Sequence, residues 1–404
     1  MNIKYCIYIF LSLAFFFLHL SMKAQVTIGS TQKPVSGALL DLKQENDGSS
    51  SKGLLLPRVA LTDSKNLFPM LTGNESDYSI QKTNHTGLIV FNTNQCFSNT
   101  GRDQGIYVWD GNEWGSLEVR AQVIQSPDVD VYTDTRDNER YLYRTFGTAG
   151  TWMLQNMRAK IYHPIRDDID ENPANGLTGP VPVMGVHGDE LWTYPNVSKA
   201  TYEKDPTMGL LYSWQAVTHG KGGASGQDIS IDEGEGNGSP NPIPTNIEEQ
   251  GPQGICPPGW HVPSDKEWNR LEMEIAEHPE KYSKSTVSTA WSIPWDYTLG
   301  YRPAFGSLTG HSVSMTSVCP APDNSAYPLT GESLLAIDGG FNGIPTGSVG
   351  SAGASSYSEV MSFWTSSTES TEKAWARYFV SWAKGVWRTN TERYHMLSIR
   401  CKMN

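Results

Sequence analysis

The sequence predicts a mainly β, α+β chain, with a β-rich N-terminal module followed by a second, more irregular α+β domain. Three observations carry this. The 404 residues include 38 glycines and 24 prolines but only 18% charged side chains, a balance that favours turns and short strands over long helices. From Gln25 to Leu117, apolar runs of strand length alternate with Gly-, Asn- and Asp-rich segments. Eleven of the 13 tryptophans lie beyond position 150, so the composition changes part-way along the chain, and the length exceeds that of one ordinary domain.

The chain opens with Lys4, a 15-residue apolar run from Cys6 to Leu20, and a polar stretch in which Ser21 and Ala24 precede Gln25. The run is short for a span of about 20 residues, and its flanks are those of a signal peptide. Residues 1–24 are expected to be removed after Ala24; the competing reading is a retained membrane-anchoring helix. Cys6 lies inside the apolar run, too early for lipid attachment at a cleavage site. No second apolar run is long enough to span a bilayer, so the mature chain is expected outside the cytoplasm, secreted or at the cell surface.

The formal charge is −12, from 43 acidic and 31 basic residues, and loss of Lys4 and Lys23 makes it more negative. Such a surface repels phosphate backbones, and no basic stripe interrupts it, which argues against nucleic acid as a partner. Four cysteines follow the leader: Cys96, Cys256, Cys319 and Cys401. An even number in an exported chain favours disulfides, with three connectivities open. Their spacing fits no zinc pattern.

Residues 25–120 form the N-terminal module. Its runs are GALLDLKQ, GLLLPRVALTD, TGLIVFNT and GIYVWDGNEW, with Asp110-Gly111 as a hairpin turn because glycine tolerates positive φ. This succession resembles the N-terminal module of many Bacteroidetes surface and fibre-like proteins. The resemblance implies a β-rich stalk or head and, by analogy, a homo-oligomer. Residues 121–130, with Pro127 and no periodicity, read as a linker.

The second domain spans 131–404. Within it, Gly220–Gln253 is a long Gly/Pro/Asn/Asp/Glu-rich loop. Asp228, Asp232, Glu233 and Glu235 offer carboxylates for calcium there, but not at EF-hand spacing, so a solvated loop is expected and no cofactor is assigned. The block GICPPGWHVPSDKEW begins at Gly254. Ser264 followed three residues later by Glu267 is a capping box, and Trp268, Leu271, Glu272 and Ile275 follow helical spacing. The pattern predicts a helix over 265–277, ended by His278-Pro279. Residues 374–382 alternate with period two as a strand, Ala383-Lys384-Gly385 makes a turn, Val386-Trp387 begins the return, and Met396–Lys402 forms a further strand with Leu397, Ile399 and Cys401 on one face.

These blocks, together with TWMLQNMR, GLLYSWQAV, FWTSSTES, AWARYFVSW and LSIRCK, closely resemble the Fibrobacter succinogenes major paralogous domain family from about Asp130 onward. The family frame pairs Cys256 with Cys401, tying the helix entrance to the last strand. Closing a loop of that length removes roughly 4 to 5 kcal/mol of unfolded-chain entropy. Cys96 and Cys319 then either staple the two domains together, stay free, or bridge to another chain. The motif order also looks like a C-type-lectin or formylglycine-generating-enzyme fold, without the calcium-sugar signature of the former.

No hydrolase, zinc-protease or nucleotide motif occurs. Gly310-His311-Ser312 lacks the glycine of a nucleophile elbow and reads as a loop. His261 reads as a hydrogen-bonded structural histidine, and Asp265 and Glu267 as charges facing the helix dipole. No catalytic or metal residues are assigned. Trp152, Trp214, Trp260, Trp268 and Trp364 are expected in the core, whereas Trp291, Trp295, Trp382 and Trp387 lie in less regular sequence and are candidates for a ligand platform. The expected function is adhesion or binding of a glycan or extracellular protein. The alternatives are a structural subunit of a surface fibre or envelope layer and, third, an unrecognised glycan-directed enzyme.

Overall fold

The computed structural model describes residues 25–97, 104–117, 126–163, 176–182, 189–219, 251–291, 299–302, 310–370 and 372–404. Residues 1–24, expected as a signal peptide, most of the Gly220–Gln253 loop with its four carboxylates, and Trp295 lie outside the described residues. The chain divides into two compact units, Met1–Pro57 and Arg58–Asn404. The break falls inside the stretch that the sequence pattern reads as one module.

In the first unit, β1 (Val26–Ile28) pairs in parallel with β2 (Leu40–Leu42). In the second, β3 (Arg58–Val59), β4 (Ile89–Asn92), β5 (Gly105–Trp109) and β6 (Trp114–Ser116) form one sheet in that order. The Asp110-Gly111 turn is present: Asp110 Oδ1 accepts from the backbone of Asn112 and Glu113, and Gly111 has φ 107°. Tyr78–Asn84 is a helix that the sequence reading leaves as a polar segment, since it buries no residue and so carries no apolar stripe. Leu61, Leu67, Val90, Tyr107, Trp109 and Trp114 make a small core here.

Three further sheets and a central helix build the rest. One, with β10 (Trp192–Thr193), β11 (Leu211–Ser213), β19 (Met396–Leu397), β14 (Ser348–Gly350) and β15 (Gly353–Ser355) in that order, carries a small core of Leu191, Leu211, Val349 and Met396. The other two border the larger cores. One sheet runs β12 (Trp260–His261), β20 (Lys402–Met403), β9 (Thr151–Met153), β8 (Arg140–Thr145), β7 (Val129–Thr133); the other runs β13 (Gly300–Arg302), β18 (Val386–Glu392), β17 (Lys373–Val380), β16 (Val360–Thr368). The strands of the second separate two cores, because alternate side chains point to opposite faces. Trp364, Ala374 and Ala376 join one core with Tyr141, Trp214 and Trp260. Met361, Phe363, Phe379 and Val386 join the other with Trp152, Trp268, Leu271 and Ile275.

The central helix is Asp265–Glu277, with both halves of the capping box made. Trp268, Leu271, Glu272 and Ile275 are all fully buried. His278 caps its end and Pro279 opens a 3₁₀ turn.

The last strand differs from its expectation. Met396–Leu397 and Lys402–Met403 are two short strands in different sheets. Ser398 and Arg400 are buried like Leu397, Ile399 and Cys401, and the backbone changes partner along the segment: Ser398 bonds Ser362 and Trp364, whereas the Ile399 and Cys401 carbonyls accept from Met157 and Met153, so the chain crosses from one sheet to another instead of continuing as one strand. Cys256 and Cys401 are bonded, with Cα atoms 5.8 Å apart. Cys96 and Cys319 are also bonded, at a Cα separation of 5.4 Å, which ties the β3–β6 region to the large domain within one compact unit.

Candidate ligand-binding surface

All five motif tryptophans are buried, and two indoles hold distant segments together, Trp364 donating to Tyr212 O and Trp214 to Thr365 O, while Trp152 donates locally to Ala149 O. None of these offers a ring to a ligand. The exposed tryptophans, Trp387 and Trp382, lie instead on the β13–β18–β17 sheet and in its turn. Register pairs Tyr301 with Trp387 and Trp387 with Tyr378, so the three rings form a row across adjacent strands. Tyr301 and Trp387 stack with centroids 5.5 Å apart and planes 23° apart, and Tyr378 follows at 6.1 Å. Trp387 keeps 36% of its surface exposed, and Trp382, in the turn after β17, keeps 59%. Such a row offers flat apolar area that is already ordered before any ligand arrives.

Trp291 is placed elsewhere. Its ring packs edge-on to His311 at 5.4 Å, with the Arg302 guanidinium 5.7 Å from its centroid. Arg302 follows Tyr301 in β13 and therefore faces the opposite side of the sheet from Trp387. Of the four candidate tryptophans, Trp382 and Trp387 are exposed on this hairpin, while Trp291 lies on the far face and Trp295 is outside the described residues.

Beneath the row, the sheet is anchored by buried ions. Glu272 Oε1 accepts from Arg302 and Arg377, each at 2.5 Å, and Glu272 Oε2 meets His311 Nε2 at 3.0 Å. Asp265 bonds Arg377 and accepts twice from Arg388. Burial opposes ionisation of both carboxyls, but the facing guanidinium groups outweigh it and hold each at about 2. The Arg388 guanidinium also stands 3.5 Å from the buried Trp375 ring. Because these ties grip β13, β17 and β18 at once, the strands that carry the aromatic row have little freedom to shift.

Among the described residues, those weighed for chemistry are held by specific partners. His261 is buried between Asn404 Oδ1 at 2.8 Å and the Glu267 carboxylate at 3.0 Å, and Lys402 reaches the same carboxylate at 2.6 Å. Gly310-His311-Ser312 is not a loop: Ser312–Met315 is a helical turn, with Ser312 Oγ donating to Lys384 O. Among the described residues no three His, Cys, Asp or Glu side chains gather as metal ligands, and no helix is long and apolar enough to cross a membrane.

A second surface feature has no signal in the sequence. An open, polar cleft of roughly 390 Å³ is lined by Asn196, Asp323, Asn324, Ser325 and the segment Ala354–Tyr357 with Glu359. Asn196, Asp323, Ser356 and Ser358 all have φ between 51° and 64°, backbone positions that loops adopt only when their surroundings enforce them. The lining comes from loops far apart in the chain, so no local motif could announce it.

The model of the Fibrobacter succinogenes major domain matches residues 148–401, well over half of the chain. The protein belongs to the Fibrobacter succinogenes major domain family. The matched segment contains the central helix, the Cys256–Cys401 bond and the hairpin that bears Trp387. The model of a phage tail like trimerisation region matches residues 27–129. No curated protein and no solved structure matches the chain. The two family matches point to a surface or structural protein, and two disulfides fit a place outside the cytoplasm.

Proposed function

We propose that this family member is an exported, non-catalytic surface protein that assembles as a homotrimer through its N-terminal region and binds a glycan or extracellular protein with a lectin-like C-terminal domain. The observation that carries the binding reading is the ordered row Tyr301–Trp387–Tyr378, with Trp387 half-open to solvent and Trp382 exposed on the same hairpin. Stacked aromatic faces suit the apolar side of a sugar ring or a protein side chain, and their rigidity lowers the ordering cost of binding. The match to a trimerisation region supports assembly, and it equally favours a second reading in which the chain is a structural subunit of a fibre or envelope layer.

Screening the exported chain on glycan and extracellular-matrix arrays tests this. Trp382→Ala and Trp387→Ala should abolish binding while thermal unfolding stays near wild type, since neither ring is in a core. Loss confined to Asn324→Ala would move the site to the polar cleft, and binding to nothing at all would leave the structural reading.

A further inference from the structure

The β1–β2 ribbon is inside out for a single chain. Its register pairs Val26 with Leu40 and Ile28 with Leu42, which puts four apolar side chains on one face, and these are 46%, 53%, 57% and 42% exposed for Val26, Leu40, Ile28 and Leu42. The opposite face carries Thr27 and Asp41, and it is the polar side that the chain covers. Asp41 accepts from Val35 N at 2.9 Å and pairs with Lys43 at 2.8 Å, and Lys43 Nζ, itself buried, also donates to Lys33 O. A monomer would turn the ribbon the other way. Two-stranded sheets are marginal alone, and parallel strands occur almost solely where both faces are covered.

We infer that the apolar face of this ribbon, Val26, Ile28, Leu40 and Leu42, is the surface through which copies of the chain pack against one another. The occupant is a second copy because the trimerisation match, which begins at residue 27, covers all of β2 and β1 from its second residue. Chains related by a closed rotation bring like ribbons around one axis, where each apolar face meets its neighbours. The inference rests on the assembly part of the proposed function and names its contact surface.

The test is light scattering of the exported chain across a concentration series, for wild type, for Ile28→Asp/Leu40→Asp, and for Ile28→Thr/Leu40→Thr. Threonine keeps strand propensity, so the second variant separates loss of contact from loss of the ribbon. Wild type should give three chain masses. Both variants should shift half-assembly to at least about 100-fold higher concentration, as expected for uncovering two large apolar side chains per copy, with the near-ultraviolet signal of the buried tryptophans unchanged. Variants that assemble like wild type overturn the ribbon as the contact surface and leave the trimer standing. A wild type that stays a single chain overturns the inference and the assembly reading together, while array binding still decides the binding reading.

Discussion

Asp265 and Glu272 sit on the face of the central helix that meets the sheet, each enclosed by guanidinium groups from strands more than a hundred positions along the chain or from β13. The sequence gives Asp265 a ready explanation as a first-turn charge beside the helix dipole, and Glu272 simply falls on the apolar stripe. Neither local pattern contains Arg377 or Arg388, so the burial of these charges is visible only once the strands are in place. Replacing Glu272 with Gln deprives buried Arg302 of this carboxylate and leaves Arg377 with Asp265 alone, and about 3–5 kcal/mol should be lost in denaturant unfolding. The pH dependence has a definite sign. Both carboxyls are held at about 2 in the folded chain, below their values of roughly 4 when unfolded. Their contribution is therefore complete above about pH 5 and is lost as pH falls toward 2. The thermal midpoint should drop through that window, and in Glu272→Gln it should drop less.

At the scale of elements, the helix 265–277 was legible to the residue because its start and stop are written locally. Ser264 accepts from Glu267 N, the Glu267 side chain returns to Ser264 N, and Pro279 forbids continuation. Ser264→Ala removes one half of that exchange and should cost about 1 kcal/mol in equilibrium unfolding; no measurable loss would mean that the Lys402 and His261 contacts to Glu267 already fix the turn. The final segment was less legible for an opposite reason. Its alternation of Leu397, Ile399 and Cys401 with Ser398 and Arg400 reads as one buried and one open face. In the fold, however, Arg400 is enclosed, donating to Asn156 Oδ1 and to the carbonyls of Phe341 and Asn342 with the Phe341 ring 4.1 Å away. A side chain that is polar in composition but wholly satisfied inside the protein imitates a surface residue. The helix Tyr78–Asn84 escaped notice because it buries nothing. The aromatic row was half legible: Trp382 and Trp387 stand out as irregularly placed tryptophans, but Tyr301 joins them only through pairing across β13 and β18.

For the whole molecule, the two ends of the chain do different physical work, and their combination predicts more than either alone. On the proposed reading, an apolar ribbon at the N-terminus gathers copies, while the buried Asp265 and Glu272 ties hold the aromatic row in place on each copy. A single row of three rings, of which the most open, Trp387, is 36% exposed, offers modest contact area and hence weak binding. Three such rows on one proposed trimer would bind a repetitive surface jointly, and linked sites of this kind raise apparent affinity by about 10²–10⁴ without any new contact. The Ile28→Thr/Leu40→Thr chain should consequently keep the wild-type affinity for a soluble monovalent ligand found on the arrays, measured by calorimetry. On a densely coated surface it should wash off at least about 100-fold faster than the assembled wild type. Equal residence of both proteins on the dense surface would show that the sites act singly, and that assembly serves the architecture of the surface layer rather than its grip.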